Sequence, residues 1–354
     1  MQIPLFSKKS ESLLGIDVGS SSLKIVELSR SGRNVSVQNA GIYPIAPNTI
    51  VEGKITDIPM LAQTLRKAVA LMRTKAKNVA LAVPGSAVIT RVLEMPADLT
   101  EDELETQLLM EAEQYIPYSL DEVAVDFTVI ENSGEDSEQV KVLLAACRKE
   151  TIDALTDSVE QADLESKIVD VEPFCLERVY PLLADQLEED NEGLIAVVDC
   201  GATSLRINEL DQVSTVYSRE ESFGTKQLSE EIQRRSGLSQ EQALTAERDN
   251  DLAGDYEKEV LSPFRDSLIQ QIAPSLQFFY SSTSYSHLDC LILSGGIASN
   301  AELPSMTESK IEVPVIAANP FKHMSHSDRI STKQLTNISP SLLIATGLAL
   351  RGIN

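Results

Sequence analysis

The chain has 354 residues, 42% apolar and 24% charged, the composition of a globular protein with room for two ordinary domains. Its formal charge of −24 argues against binding a nucleic-acid backbone or docking directly on an anionic membrane, since both are met mainly with Lys and Arg. No apolar run is long enough to span a bilayer, and the opening MQIPLFSKKSES lacks the core of a secretory leader. A cytoplasmic protein is the expectation. Cys147, Cys175, Cys200 and Cys290 sit in or beside apolar runs without CxxC spacing, and His287, His323 and His326 are the only histidines. Buried thiols and no zinc site are the reading.

In chain order, Leu13, Leu14 and Ile16 lead into Asp17-Val18-Gly19-Ser20-Ser21-Ser22, and alternating apolar residues follow to Leu28. That pattern predicts a β-hairpin, which residues 35–43 extend to a three-stranded meander. Residues 44–57 read as a loop, and 59–73 have helical spacing. From residue 79 to about 163 an inserted α/β unit is predicted, with strands at 79–83, 88–93, 124–130 and 140–147. Thr100 and Glu103 form a capping box for a helix reaching about Ile116, which Pro117 stops, and a second helix covers 149–162. This unit carries no nucleotide signature, so an interaction module is expected. A strand at 166–171 and a helix from Glu172-Pro173 to residue 187 return the chain to the first domain, and the acidic run 188–192 reads as a linker.

The hairpin then recurs. Val198-Asp199-Cys200-Gly201-Ala202-Thr203-Ser204-Leu205-Arg206-Ile207-Asn208-Glu209-Leu210 aligns without a gap on residues 16–28, with the shared pattern D-x-G-x-[ST]-S-L-[KR]-I-x-E-L. Glycine allows close backbone approach, and successive N–H and hydroxyl groups cradle a phosphate. Asp17 and Asp199, ending the first strand of each copy, suit a cation held through water, as Mg²⁺ prefers. Beyond a strand at 213–217, helices are predicted at 225–235, 239–248 and 256–280, with Pro263 and Pro274 expected to bend or divide the last. Cys290 opens a buried strand ending in Ser294-Gly295-Gly296-Ile297. Residues 313–316 form a strand, 320–329 a loop and 341–351 a closing helix whose Ala345, Gly347 and Ala349 offer a small-residue face.

Two phosphate hairpins, a Glu-Pro helix between them, a late Gly-Gly turn and a Gly-containing final helix resemble the superfamily of actin, heat-shock chaperones and sugar kinases in that order. Within it the chain resembles the PilM family, FtsA-related actin-like proteins of type IV pilus assembly. The motifs that carry this are Phe6-Ser7-Lys8-Lys9, EAEQYIPYSLDEVAVDF from Glu111, VDVEPFCLERV from Val169, NPFKHMS from Asn319 and PSLLIATGLALRG from Pro340. The resemblance implies an α/β actin-like ATPase fold of two duplicated domains with an inserted α/β module in the first. Residues 1–78 and 166–192 would form the first domain, 79–165 the module, 193–340 the second domain and 341–354 the closing helix.

It further implies ATP phosphates on Gly19, Ser20, Ser21, Ser22 and on Gly201, Ala202, Thr203, Ser204, with Asp17 and Asp199 beside Mg²⁺. Glu172 would orient an attacking water, and Gly295, Gly296 and Ile297 would wall the adenosine. Strand alternation sends Lys24 away from the phosphate. One departure stands out: Glu247 occupies a position where the family leads one to expect Lys, leaving Arg248 or Lys226 to compensate. Function by resemblance is an ATP-binding scaffold, at most a slow ATPase, that holds the cytoplasmic tail of PilN with Ile116, Tyr118, Leu120, Val123 and Val125. Such a scaffold would meet the inner membrane only through that partner. It would couple nucleotide state to other pilus platform and motor proteins in pilus biogenesis, twitching motility or DNA uptake. A small-molecule kinase and a self-polymerising actin-like filament are the alternatives.

Overall fold

Strand β1 (Leu13–Val18) is apolar on both faces because each face meets a different core. Leu14 and Ile16 enter one, while Leu13 enters the other. The computed structural model describes residues 12–132, 138–184, 186–187, 193–211, 214–239, 242–243, 246 and 255–353. Around β1, β2 (Ser22–Ser31) and β3 (Asn34–Pro44) form the expected antiparallel meander, and β6 (Asn78–Val83) and β10 (Glu165–Val171) add parallel strands on the other side. Residues 44–57 hold a small hairpin, β4 (Ile50–Val51) with β5 (Lys54–Ile55). Its turn residues Glu52 and Gly53 both have positive φ, 51° and 74°, the backbone handedness that a two-residue hairpin turn needs.

Helix α1 (Ile58–Met72) is capped by Asp57, which accepts from the Met60 N–H, and covers the first sheet with Leu61, Ala62, Leu65, Ala68 and Met72. The inserted unit is smaller than the predicted 79–165. Strand β6 pairs with β1 and β10, and α3 (Lys149–Glu160) buries Leu155 and Val159 in the same core as α1. What stands apart is a sheet of β7 (Val88–Pro96), β9 (Gln139–Arg148) and β8 (Val123–Asn132), in that order, with α2 (Glu101–Ala112). A parallel strand buried on both faces has the same local pattern whichever sheet it joins, so its place was not written in its own residues. The predicted capping box at Thr100 and Glu103 is present.

The second sheet has the order β13 (Ser214–Glu221), β12 (Leu205–Asp211), β11 (Leu194–Cys200), β14 (Cys290–Gly295) and β15 (Val315–Ala317). Its core face is covered by α5 (Lys226–Ser236) and α6 (Ser262–Ser282). Pro274 does not divide α6; buried Ile272, Ser275, Leu276 and Phe279 hold the helix on the sheet across the lost hydrogen bond. The predicted loop 320–329 contains β16 (Ser325–His326), paired parallel with β3, so the chain returns from the second sheet to the edge of the first. All four cysteines are buried, and none is in a disulfide.

Two helices join the sheets. Helix α4 (Glu172–Ala184) and the last helix, α9 (Leu343–Leu350, after α7 at Leu303–Ile311 and α8 at Thr332–Ile338), share one core with residues of both sheets, among them Leu13, Val26, Ile195 and Ile292. The small-residue face is used on two sides. A Cβ on Gly347 would lie 2.3 Å from the Cys175 carbonyl oxygen of α4, and one on Gly15 of β1 would lie 2.0 Å from the carbonyl of Ala345. Buried Asp170 completes the junction, accepting from Arg178 at 3.0 Å and Arg351 at 2.9 Å. Replacing Gly347 by Ala is expected to lower stability by about 1–3 kcal/mol through overpacking against backbone. Gly296→Ala, whose Cβ meets nothing within 4 Å, should stay within about 0.5 kcal/mol of the parent in denaturant unfolding.

Candidate functional site

The two repeated turns adopt one geometry. The Gly19 N–H donates to the Ser22 carbonyl at 3.1 Å, and the Gly201 N–H donates to the Ser204 carbonyl at 2.9 Å. Each is held from behind by the segment that follows its meander. Ile45 N–H donates to Ser21 O at 2.9 Å, while Thr225 and Lys226 N–H groups donate to Gly201 O and Ala202 O at 3.0 and 2.8 Å. Gly224, not singled out in the sequence, permits that second brace, since a Cβ there would lie 2.4 Å from Ala202 O. The tips of the turns meet across the domain boundary, with the hydroxyls of Ser20 and Thr203 3.0 Å apart.

Register places opposite charges side by side in both hairpins. Asp17 faces Lys24 and Asp199 faces Arg206. Lys24 Nζ is 2.8 Å from Asp17 Oδ2. Burial disfavours its charge, but Asp17 and Asp199 outweigh that and hold its pKa above the usual value. Arg206 reaches further, with Glu172 at 3.2 Å, Asp199 at 3.6 Å and Glu220 at 3.4 Å. Since Glu172 begins α4 of the first domain and the others lie on the second sheet, Arg206 ties the domains at the floor of the site. Burial pushes the Glu172 carboxyl up to about 7, partly opposed by Arg206 and reinforced by Asp17 and Asp199.

The two turns, Glu172, Arg206 and Glu220 border a cleft of ≈ 1140 Å³ whose walls include Gly19, Ser20, Ser21, Ala202, Thr203, Ser204 and Lys226, while Asp17, Lys24 and Asp199 lie behind that wall. A chamber of ≈ 190 Å³, which shares Glu172, Arg206 and Glu220 with the cleft, is lined by Asp199 and Ser294. The Ser294 hydroxyl lies 3.0 Å from Asp199 Oδ1. Among the described residues no cluster of three or more His, Cys, Asp or Glu side chains is arranged to grip a metal directly. The donors present are carboxylate and hydroxyl oxygens, with Asp17 and Asp199 already engaged by cations. That set fits Mg²⁺ held through its water shell.

The sequence model of the family described as "Type IV pilus assembly protein PilM" matches residues 15–353. The chain belongs to that family. It is similar to a chain of a solved structure described as "PilM-PilN type IV pilus biogenesis complex", with 29% identity and a TM-score of 0.78, covering 98% of this chain and 99% of the other. It is also similar in fold to the ethanolamine utilization protein EutJ from Carboxydothermus hydrogenoformans, at 15% identity and a TM-score of 0.55 over 98% of this chain and 91% of that one. The predicted actin-like ATPase fold is therefore the fold of this PilM-family chain, and it is a nucleotide-binding architecture. Among the described residues no helix is long and apolar enough to cross a membrane.

Several residues stand elsewhere than the resemblance implied. Gly295, with φ of +90°, serves the contact between β14 and β11, where a Cβ would lie 2.1 Å from Cys200 O. Ile297 is buried in the second core, and the cleft walls do not include Gly295, Gly296 or Ile297, nor Asp17, Ser22, Asp199 or Gly201. Glu247 and Arg248 lie outside the described residues. In the module, Ile116 and Val123 are core residues, so they support the surface from beneath instead of presenting side chains. Leu120 and Val125 are partly buried against that core, and Tyr118 is 44% exposed under the Arg148 guanidinium, 5.4 Å from its ring centroid. Arg148 and Glu220 are site residues that local motifs did not mark; Arg206 was already visible as the [KR] position of the repeat.

The repeat also carries two glutamates to different fates. Glu27 accepts from Ser12 at 2.7 Å and Asn39 at 2.5 Å. Its counterpart Glu209 is 0% exposed, with both carboxylate oxygens unpartnered, and burial pushes its pKa up to about 8. Because the folded state holds this proton more tightly than the unfolded chain, the site is least costly below the ordinary carboxyl range and loses stability as pH rises toward 8. Glu209→Gln is expected to gain on the parent by about 1.4 kcal/mol per pH unit between roughly pH 5 and 8. Denaturant unfolding at three pH values checks this, and a constant difference would refute it.

Proposed function

We propose that the chain is a nucleotide-binding scaffold of the type IV pilus assembly platform, in which Mg-ATP held between the two turns sets the geometry that receives the cytoplasmic tail of PilN. The observation that carries the nucleotide half is the meeting of Ser20 and Thr203, each at the tip of an identically closed turn on a different domain. A polyphosphate between such turns is held by backbone N–H groups and hydroxyls from both sides, so binding energy acts on domain closure.

Mg²⁺ carried by Asp17 and Asp199 through water would neutralise phosphate charge at a site where Glu172 and Glu220 add further carboxylates. Arg206 holds Glu172 at 3.2 Å, which restrains that side chain from orienting water and agrees with a slow ATPase. The partner half rests on family membership and on the structural neighbour described as a PilM-PilN complex. In this reading Tyr118, Leu120 and Val125 contact the tail over a base formed by Ile116 and Val123, and the inner membrane is reached through PilN. Other platform and motor proteins then read the closed form.

Ser22→Ala is expected to weaken Mg-ATP binding about fivefold, the worth of one hydrogen bond; calorimetry showing equal affinity would count against the turn assignment. Tyr118→Lys should remove binding of a PilN tail peptide while circular dichroism stays that of the parent. Retained peptide affinity would remove the proposed surface.

A further inference from the structure

The last residue of β9, Arg148, stands between the cleft and the exposed tyrosine of the module. It pairs in register with Val123, directly after the turn Leu120–Glu122, and the next residue, Lys149, donates to the Asp121 carbonyl at 2.9 Å. Its guanidinium covers the Tyr118 ring at 5.4 Å. Arg148 also lines the cleft, as do its neighbours Glu150 and Thr151. Its carboxylate partner is Glu150 at 2.8 Å, with side-chain exposures of 43% and 71%. Such an exposed pair contributes little. Nε of Arg148 is buried without a hydrogen-bond partner.

Other cations on the cleft wall are differently placed: Lys54 stands on the small hairpin, at the start of β5, and does not touch the module's tyrosine. Arg206 is surrounded by three carboxylates, and Lys226 is 3.9 Å from Glu230. A triphosphate offers Arg148 more negative charge than Glu150 does and matches the planar fork of a guanidinium. A side chain that turns toward it leaves the tyrosine face.

We propose that Arg148 is shared by two sites, contacting the anionic part of a nucleotide in the cleft and thereby uncovering Tyr118 for the partner peptide. This rests on the reading above of both the cleft and the peptide surface. The coupling is reciprocal: if nucleotide tightens the peptide, the peptide tightens the nucleotide by the same factor. Its size is set by the ring contact given up, which corresponds to about two- to fivefold in affinity.

The test is a set of calorimetric titrations on the full chain, with Mg-ATP and with a PilN tail peptide, each alone and in the presence of the other. In the parent, Mg-ATP should tighten the peptide about two- to fivefold. In Arg148→Ala the peptide alone should bind as tightly as it binds the nucleotide-loaded parent, the ratio should fall to about one, and Mg-ATP should bind more weakly. Arg148→Lys keeps the charge and loses the stacked plane, so it should retain most nucleotide affinity with a reduced ratio; this variant decides the matter if the alanine variant does not fold. An unchanged ratio in the variants, or equal Mg-ATP affinity in Arg148→Ala, overturns the role of Arg148 while the underlying reading stands. Failure of the parent to bind either ligand overturns that reading and the coupling together.

Discussion

Backbone-to-backbone packing at the two joining helices is the constraint on which the rest depends. With Gly347 against Cys175 and Gly15 against Ala345, α9 lies closer to α4 and β1 than any side chain would allow. That closeness brings the ends of β1 and β11 near enough for their turns to touch. A wider joint would leave the two turns facing solvent separately. The Asp170 cluster with Arg178 and Arg351 fixes the same joint by charge, since an unpaired buried carboxylate would be costly there.

Above that joint, electrostatics differ between the halves. The first hairpin settles its aspartate locally with Lys24, while the second uses a longer, forked cation that also reaches Glu172 and Glu220. The repeat thus supplies the same position twice, and one conservative difference turns a local ion pair into an interdomain tie. The floor of the cleft stays rich in carboxylates, Glu172 and Glu220 among them.

Much of the architecture was legible because it is local. Turn chemistry, a period of two and the capping box at Thr100 each depend on a few neighbouring residues, and all three appear in the fold. What was not legible depends on residues far away in sequence. Strand β6 looks like the start of a new unit until its partners β1 and β10 are known. Pro274 reads as a break until the buried face around it is seen. Ile116 and Val123 sit in a motif of discriminating character, yet only packing against Leu108 and Leu144 shows that they face inward. Gly295 carries a signal for close approach that is real, but what approaches is β11.

The two glutamates of the repeat show how differently one position can be housed. Position for position, Glu27 and Glu209 occupy the same place in the repeat. In one copy Ser12 and Asn39 satisfy the carboxylate; in the other the residue pairs in register with Tyr217 and Ala196, and its carboxyl oxygens are buried without a hydrogen-bond partner. A duplication of this kind does not divide labour only among the residues that meet a ligand. It also leaves equivalent residues in unlike interiors, as Glu27 and Glu209 show.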